Sequence, residues 1–147
     1  MKRFHIHIAV DNLQQNIDFY NALFQAEPTV LEADYAKWML DDPRINFAIS
    51  SRGRKQGLDH FGLQVESDHE LEAVQQGLAS AAVPIAPQKQ AACCYAQSNK
   101  YWTVDPQGIA WEAFHSLCSI PMFGEDQIIQ LDQVPACCKS SAPERVN

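Results

Sequence analysis

The chain has 147 residues, of which 46% are hydrophobic and 20% are charged, proportions typical of a single globular domain. Its formal net charge is −7, which argues against nucleic acid as a partner because phosphate binding depends on basic side chains. No apolar run approaches the ~20 residues that a membrane helix needs, and His5 and His7 interrupt the position of a secretion signal. We therefore expect a cytoplasmic protein that contacts neither nucleic acid nor membrane.

Four of the five cysteines form two adjacent pairs, Cys93–Cys94 and Cys137–Cys138. Neighbouring Cα atoms lie about 3.8 Å apart, below the usual range of about 4.4–6.8 Å for a disulfide. In a reducing cytosol such cysteines are free thiols or ligands, and two thiolates on one short segment can bind a soft ion from the same side. Cys118 is interpreted as an inert buried side chain.

The first half of the chain begins with the alternating segment "FHIHIAV" (4–10), which predicts a strand with His5 and His7 on the same face. Asn12 is a suitable N-cap for the amphipathic helix that follows. Two short strands are then predicted at 35–40 and 45–50, followed by a polar connector at 51–57.

The second half repeats this order, starting with the alternating segment "HFGLQV" (60–65). Ser67 and Glu70 predict a capping box at the start of the next helix. A loop containing Pro84 and Pro87 is expected to lead into the cysteine segment. Two last strands are predicted at 100–104 and 109–114, followed from residue 118 by an aperiodic tail with a short helix near 125–131.

The two halves therefore form an internal repeat of about 55 residues in which Val10 aligns with Val65 and His5 with His60. This repeat predicts an α+β chain in which one strand–helix–strands unit occurs twice. The expected domain covers residues 1–117, with modules at 1–51 and 58–117, and the partly disordered tail covers 118–147.

Three residues are candidate metal ligands: His5 and His60, which face inward on equivalent strands, and Glu112 in an otherwise apolar strand. A buried carboxylate without a partner is costly, and metal coordination removes that cost. Two histidines and one carboxylate form the facial arrangement of nonheme Fe(II) oxygenases. Each residue alone also fits a hydrogen-bonded core histidine or an edge-strand charge. His7 is less favoured because it falls on Gly62 in the repeat register.

With this repeat, the "FY" of the first helix and "DPQGIAWE" (105–112), the chain resembles the vicinal oxygen chelate superfamily. That superfamily includes glyoxalase I, extradiol dioxygenases and bleomycin-resistance proteins. The resemblance spans residues 1 to about 117 and implies an α+β fold in which two βαβββ modules pair into an open, cupped mixed sheet or half-barrel around a metal site. It does not select a reaction.

The segment "CCYAQSNKYWTVDPQGIAWEAF" more specifically resembles carbon–arsenic lyases and their cadmium-induced relatives. This resemblance implies a nonheme Fe(2+) dioxygenase that uses O2 to cleave trivalent organoarsenicals. It implies that His5, His60 and Glu112 bind iron and that Cys93 and Cys94 bind arsenic. It further implies loop or substrate roles for Lys100 and Tyr101 and accessory thiols at Cys137 and Cys138, in a monomer or homodimer.

Two other functions remain open. The same fold can sequester cadmium or arsenic through its thiols without turnover. A glyoxalase-like isomerase or thiol transferase ranks last, because that class usually needs a fourth ligand on the last strand of the first half. The inward positions there are Asn46, Ala48 and Ser50, none of which is a carboxylate.

Overall fold

The computed structural model describes residues 1–121 and Gly124. Within this part the chain forms two α-helices and eight β-strands in the order βαβββ–βαβββ, as the repeat predicts. The first module contains β1 (Arg3–Ala9), α1 (Leu13–Phe24), β2 (Val30–Glu32), β3 (Tyr35–Asp41) and β4 (Arg44–Ser50). The second contains β5 (Gly57–Val65), α2 (Asp68–Ser80), β6 (Ala86–Cys93), β7 (Ala96–Val104) and β8 (Ala110–Ser119).

Both helices begin at the predicted caps. The side chain of Asn12 accepts a hydrogen bond from the backbone N–H of Gln15, and Ser67 Oγ accepts one from the backbone N–H of Glu70. The predicted capping box is only half formed, because the Glu70 carboxylate accepts from the N–H of Glu66 and not from that of Ser67. Each cap satisfies one backbone donor that the first helical turn leaves unpaired.

All eight strands belong to one mixed sheet with the order β2-β3-β4-β1-β5-β8-β7-β6. The modules meet where β1 pairs antiparallel with β5, and there His5 lies opposite Gly62 and His7 opposite His60. His60 lies 55 residues after His5, and His7 lies 55 residues before Gly62, so the two pairs are equivalent under exchange of the modules. A twofold axis between the modules requires this relation. The register of the repeat is therefore confirmed, and so is the α+β class.

The helices cover one face of the sheet. The α1 side holds the larger core, in which Ile17 packs on Trp38 and Phe47, and the indole N–H of Trp38 donates to Asn21 Oδ1 at 3.0 Å. The α2 side has a smaller core around Val65, Leu71 and Ala113. The opposite, concave face holds buried polar residues, among them His5, His60 and Glu112, so the candidate site lies on this face.

The second half contains a strand that the sequence did not predict. We expected a loop that contains both Pro84 and Pro87, but β6 begins at Ala86 and Pro87 lies within it. The prediction was therefore wrong for Pro87. Proline is tolerated there because β6 is the outer strand of the sheet and needs fewer ladder donors. β8 continues to Ser119, two residues past the expected domain end. The predicted helix near 125–131 and Cys137–Cys138 lie outside the described residues.

Among the described residues, no helix is long and apolar enough to cross a membrane.

Candidate metal and thiol site

His5, His60 and Glu112 converge at the centre of the concave face. They come from β1, β5 and β8, which are neighbours in the sheet, and each side chain is buried. Nε2 of His5 and Nε2 of His60 both lie 3.4 Å from Glu112 Oε1. The structure thus brings together the three residues that the sequence selected as candidate metal ligands.

Hydrogen bonds on the far side of each ring orient the two imidazoles. Nδ1 of His5 donates to the backbone carbonyl of Asn46 at 2.8 Å, and Nδ1 of His60 donates to the Asp59 carboxylate at 2.6 Å. Asp59 is held in turn by Arg54 at 3.1 Å. Because both Nδ1 atoms are donors, each ring directs Nε2 toward Glu112, and the neutral form of the ring carries its lone pair on that nitrogen. Such outer hydrogen bonds are typical of histidines that bind metals.

The charges of this cluster are strongly coupled. Burial lowers the pKa of His5 to about 4. Burial also acts to lower the pKa of His60, but Glu112 and Asp59 together outweigh it and raise the value to about 9. The pKa of Glu112 is held well below its usual range, because Lys100 and the two histidines outweigh the effect of burial. A buried carboxylate that remains ionised is a suitable partner for a cation.

The spacing of these donor atoms fits a divalent ion. Two ligand atoms that are each about 2.1 Å from an ion, at angles of about 90–109°, lie roughly 3.0–3.4 Å apart. The observed 3.4 Å separations from Oε1 fall at the upper end of that range. Moreover, His60 Nε2 is fully buried and forms no hydrogen bond of good geometry among the described residues. One imidazole pair with one carboxylate matches the donor set of nonheme Fe(II) sites.

His7 belongs to the same cluster. One ring nitrogen each of His5, His7 and His60 lies within 4.8 Å of the others, so a three-histidine group is also present. Nε2 of His7 is bonded to Ser50 Oγ at 2.9 Å, and burial lowers the pKa of this histidine to about 3. His7 is therefore a neutral neighbour of the site with one nitrogen already engaged.

Gly62 provides space for the cluster, a role that sequence reasoning missed. A Cβ atom at this position would lie 2.6 Å from the backbone oxygen of Glu112 and 2.9 Å from its Cγ. It would also lie 3.4 Å from the Cβ of His5. Glycine inside a strand often marks a close backbone approach, and this signal was available two residues after His60.

The adjacent cysteines lie at the tip of the β6–β7 hairpin. Cys93 ends β6 and pairs with Ala96, so Cys94 and Tyr95 form a two-residue turn. Both turn residues have positive φ, as the two central residues of a type I′ hairpin turn do. The two Sγ atoms are 2.7 Å apart. This turn explains how consecutive residues present two thiols on one side.

The thiols and the histidine–carboxylate cluster share one cleft of about 420 Å³, including space open to solvent. His5, Glu112, Cys93 and Cys94 all line this cleft, and of these four only Cys94 is not buried. Its remaining lining residues are His7, Tyr35, Lys37, Asn46, Ala96, Ser98, Lys100, Phe114 and Ser116. The cleft therefore combines a soft-ligand site with a harder donor set.

Lys100 and Tyr101 lie in strand β7, as the strand predicted at 100–104 requires, and not in the loop that the resemblance implied. Lys100 points into the cleft, is buried and pairs with Glu112 Oε2 at 3.2 Å. Tyr101 follows it in the strand and therefore packs on the opposite face, against the α2-side core. Cys118 is exposed, contrary to its interpretation as a buried side chain. His115 does not line the cleft and pairs with Asp68 at 3.0 Å.

Comparison with known proteins agrees with the fold and the cysteine segment. The profile of the Glyoxalase/Bleomycin resistance protein/Dioxygenase superfamily matches residues 2–113. The chain belongs to this superfamily.

Several relatives are similar over most of their length. The chain is 38% identical to the trivalent organoarsenical cleaving enzyme of Bacillus sp. (strain MD1), covering 82% of this chain and 76% of that protein. It is 30% identical to the cadmium-induced protein of Mycobacterium tuberculosis, covering 84% and 82%. Among solved structures, homoprotocatechuate 2,3-dioxygenase from Arthrobacter globiformis has a TM-score of 0.60 at 16% identity, covering 79% of this chain and 36% of that one. This last likeness concerns the fold alone.

Proposed function

We propose that this protein is an Fe(2+)-dependent dioxygenase that cleaves the carbon–arsenic bond of trivalent organoarsenicals and releases inorganic arsenite. The observation that carries the proposal is the shared cleft, in which the Cys93–Cys94 pair lies beside a His/His/Glu cluster. The names of the similar proteins, which include organoarsenical cleaving enzymes from two Bacillus strains, support the same substrate class.

In this proposal His5, His60 and Glu112 hold Fe(2+). When bound, the ion supplies the reactivity toward O2 that the side chains lack. The fit rests on the 3.4 Å spacing of the donor atoms and on the Nδ1 hydrogen bonds that direct both Nε2 atoms to one point. Lys100 engages Glu112 Oε2, which keeps the carboxylate ionised and leaves Oε1 directed at the histidines.

Cys93 and Cys94 bind the arsenic atom. Trivalent arsenic in an organoarsenical has one carbon bond and two exchangeable positions, and two thiolates are the soft ligands that can fill both. The organic group then remains the only substituent free to enter the cleft. Holding this group beside the metal ligands makes the encounter effectively unimolecular, an advantage worth up to about 7–11 kcal/mol in well-aligned cases.

The remaining assignments belong to the same proposal. The catalytic domain is residues 1–117, built from modules 1–51 and 58–117, and the tail 118–147 supplies accessory thiols at Cys137 and Cys138. We propose a cytoplasmic location, where a reducing environment would keep the thiols of Cys93 and Cys94 reduced. A monomer or a homodimer is compatible with a cleft formed within one chain.

A second candidate function is sequestration of cadmium or arsenic by the thiol pair without turnover. The similarity to a cadmium-induced protein favours it. A glyoxalase-like reaction ranks lower, because Asn46, Ala48 and Ser50 are all buried in β4 and none of them is a carboxylate that could act as a fourth ligand.

Aerobic incubation with Fe(2+) and methylarsenite, followed by quantification of inorganic arsenite, tests the proposal. We expect release only when both iron and oxygen are present. Cys93→Ser and Cys94→Ser should each abolish release while iron still binds, because a serine hydroxyl is not a soft ligand. Cys118→Ser is the matched control, since this thiol is exposed and bonded to Gln97 outside the cleft. Stoichiometric arsenical binding in air with no arsenite released would favour sequestration.

A further inference from the structure

The turn that carries the thiols is built from residues that disfavour it. Cys94 and Tyr95 have φ values of 55° and 59°, the left-handed region usually occupied by glycine or asparagine in two-residue hairpins. A left-handed residue with a side chain costs about 1–2 kcal/mol. Such strain persists where the surrounding structure fixes the conformation, and it is often found at functional sites. Something outside the hairpin should therefore hold this turn.

A contact between the two ends of the sheet provides that restraint. β3 and β7 are five strands apart in the sheet order, which corresponds to ~24 Å in a flat sheet. The sheet curls so far that the rings of Tyr35 and Tyr95 lie 5.8 Å apart. At the same place, the Tyr95 hydroxyl donates a hydrogen bond of 2.8 Å to Asp34 Oδ1. The thiol hairpin of the second module is thus bonded to the first module.

Asp34 is itself firmly placed in the turn between β2 and β3. Its backbone carbonyl accepts from the N–H of Ser51 at 3.0 Å, and its second carboxylate oxygen pairs with Arg52 Nε at 3.1 Å. The acceptor for Tyr95 is therefore a fixed point on the first module. Consistent with a hydroxyl that donates to a carboxylate, this hydrogen bond raises the pKa of Tyr95 to about 12.

We propose that Tyr95 and Asp34 are positioning residues: their hydrogen bond, here called the Tyr95–Asp34 clamp, holds the Cys93–Cys94 pair in register with the His5/His60/Glu112 cluster. This inference rests on the proposed function and extends it to two residues outside the reacting atoms. Tyr95 directly follows Cys94, so a movement of the Tyr95 ring is transmitted to the thiol pair. The clamp connects the hairpin that carries the thiols to the module that supplies His5.

The clamp makes a specific kinetic prediction. Arsenic capture needs only the two thiols, whereas cleavage needs the captured carbon at a defined distance from the metal ligands. A displacement of about 1 Å can lower the rate of a chemical step about 100-fold. Loss of the clamp should therefore lower kcat while leaving the arsenical Kd nearly unchanged, a separation that general destabilisation would not produce.

The test compares Tyr95→Phe, Asp34→Ala and the double variant with the parent chain. Each single variant should show a kcat at least about 10-fold lower and a phenylarsenite Kd within about 3-fold of the parent. The double variant should be no slower than either single one, because all three lack the same bond. Tyr101→Phe is the matched control, since it removes a hydroxyl from the other face of β7 and should leave both constants unchanged. Unchanged kcat in Tyr95→Phe, or additive losses in the double variant, would overturn the clamp.

A second readout does not depend on turnover. The rate of alkylation of Cys93 and Cys94, measured by peptide mass spectrometry, should rise several-fold in Tyr95→Phe and Asp34→Ala but not in Tyr101→Phe. If the parent chain releases no arsenite but this acceleration is found, the clamp stands and the proposed function fails. If the parent releases arsenite and neither kcat nor labelling changes in the variants, the function stands and the clamp fails. Asp34→Asn, which keeps an acceptor oxygen, should show a smaller effect than Asp34→Ala in both measurements.

Discussion

The two modules share one backbone plan but line the concave face with opposite chemistry. In the pairing of β5 with β8, Glu112 lies opposite Gly62, and in the equivalent pairing of β1 with β4, Ala48 lies opposite His7. Ala48 is thus the twofold mate of Glu112, and His7 is the mate of Gly62. The same register makes Tyr35 the mate of Lys100. The second module carries the carboxylate and its cation where the first carries an alanine and a tyrosine.

This comparison shows how a duplicated fold acquires a single metal site. The twofold axis runs between β1 and β5, so His5 and its mate His60 approach each other, with ring centroids 5.2 Å apart. One carboxylate from either module is then sufficient to complete a three-ligand set. Gly62 leaves room for Glu112 to approach the twofold axis. In the first module the equivalent position is filled by the larger side chain of His7.

The largest expected effect is a loss of Fe(2+) affinity when Glu112, the residue that most distinguishes the two modules, is substituted. Glu112→Gln removes the anionic donor, and the affinity for Fe(2+) should fall by more than about 100-fold, beyond the range for losing an outer contact of a metal site. Metal titration under anaerobic conditions measures it. Because Lys100 would be left buried without its partner, the double variant Glu112→Gln, Lys100→Met serves as the folding control. Iron affinity close to that of the parent in either variant would contradict the assignment of Glu112.

The second largest effect is expected on the free energy of unfolding, for a substitution of Lys100. Lys100 and Glu112 are 4% and 7% exposed, and their side chains are 3.2 Å apart. Lys100→Met leaves a buried carboxylate whose remaining partners are the histidines, so the metal-free protein should lose about 3 kcal/mol in its free energy of unfolding. Added Fe(2+) should recover part of that loss by neutralising Glu112. Urea unfolding with and without metal tests this, and a loss of equal size in both conditions would contradict it.

The sequence predicted those parts of the site that depend on local pattern. Half-buried strands alternate with a period of two, which placed His5 and His60 on the inner face, and a carboxylate within an apolar strand drew attention to Glu112. The repeat then set the register of the two modules, which the pairing of β1 with β5 confirms. Cys93 and Cys94 were recognisable because adjacent cysteines are rare.

The features that the sequence did not predict depend on contacts between distant residues. The ion pair that buries Lys100 and the hydrogen bond from Tyr95 to Asp34 both require the curl of the sheet to be known. Strand β6 was missed because Pro84 and Pro87 are typical of loops, and only its position at the sheet edge makes Pro87 acceptable. The left-handed turn at Cys94 contains no glycine, so its sequence carries no turn signal.

A smaller effect is expected at Gly62, the mate of His7. A methyl group at this position lies within 2.9 Å of the Glu112 side chain and 2.6 Å of its backbone oxygen. Gly62→Ala should therefore displace Glu112 and destabilise the protein by about 1–3 kcal/mol, the usual cost of overpacking. Iron affinity should fall with it, since Oε1 moves relative to both histidines. Thermal unfolding and metal titration measure the two consequences, and normal values in both would show that the cleft accommodates a Cβ atom here.

The smallest effect on Fe(2+) affinity is expected for His7→Ala. This change introduces alanine at the position of the first module that is equivalent to Gly62. The ring of His7 lies near those of His5 and His60, but its Nε2 is bonded to Ser50 and the repeat register assigns the ligand role to His5. We therefore expect an Fe(2+) affinity within about 3-fold of the parent, while His5→Ala loses metal binding as completely as Glu112→Gln. The stability of His7→Ala should fall modestly, because a buried ring and one hydrogen bond are removed. If His7→Ala lost iron and His5→Ala retained it, the three-histidine group would be assembled around His7, and the first module would contribute its ligand two residues later than the repeat predicts.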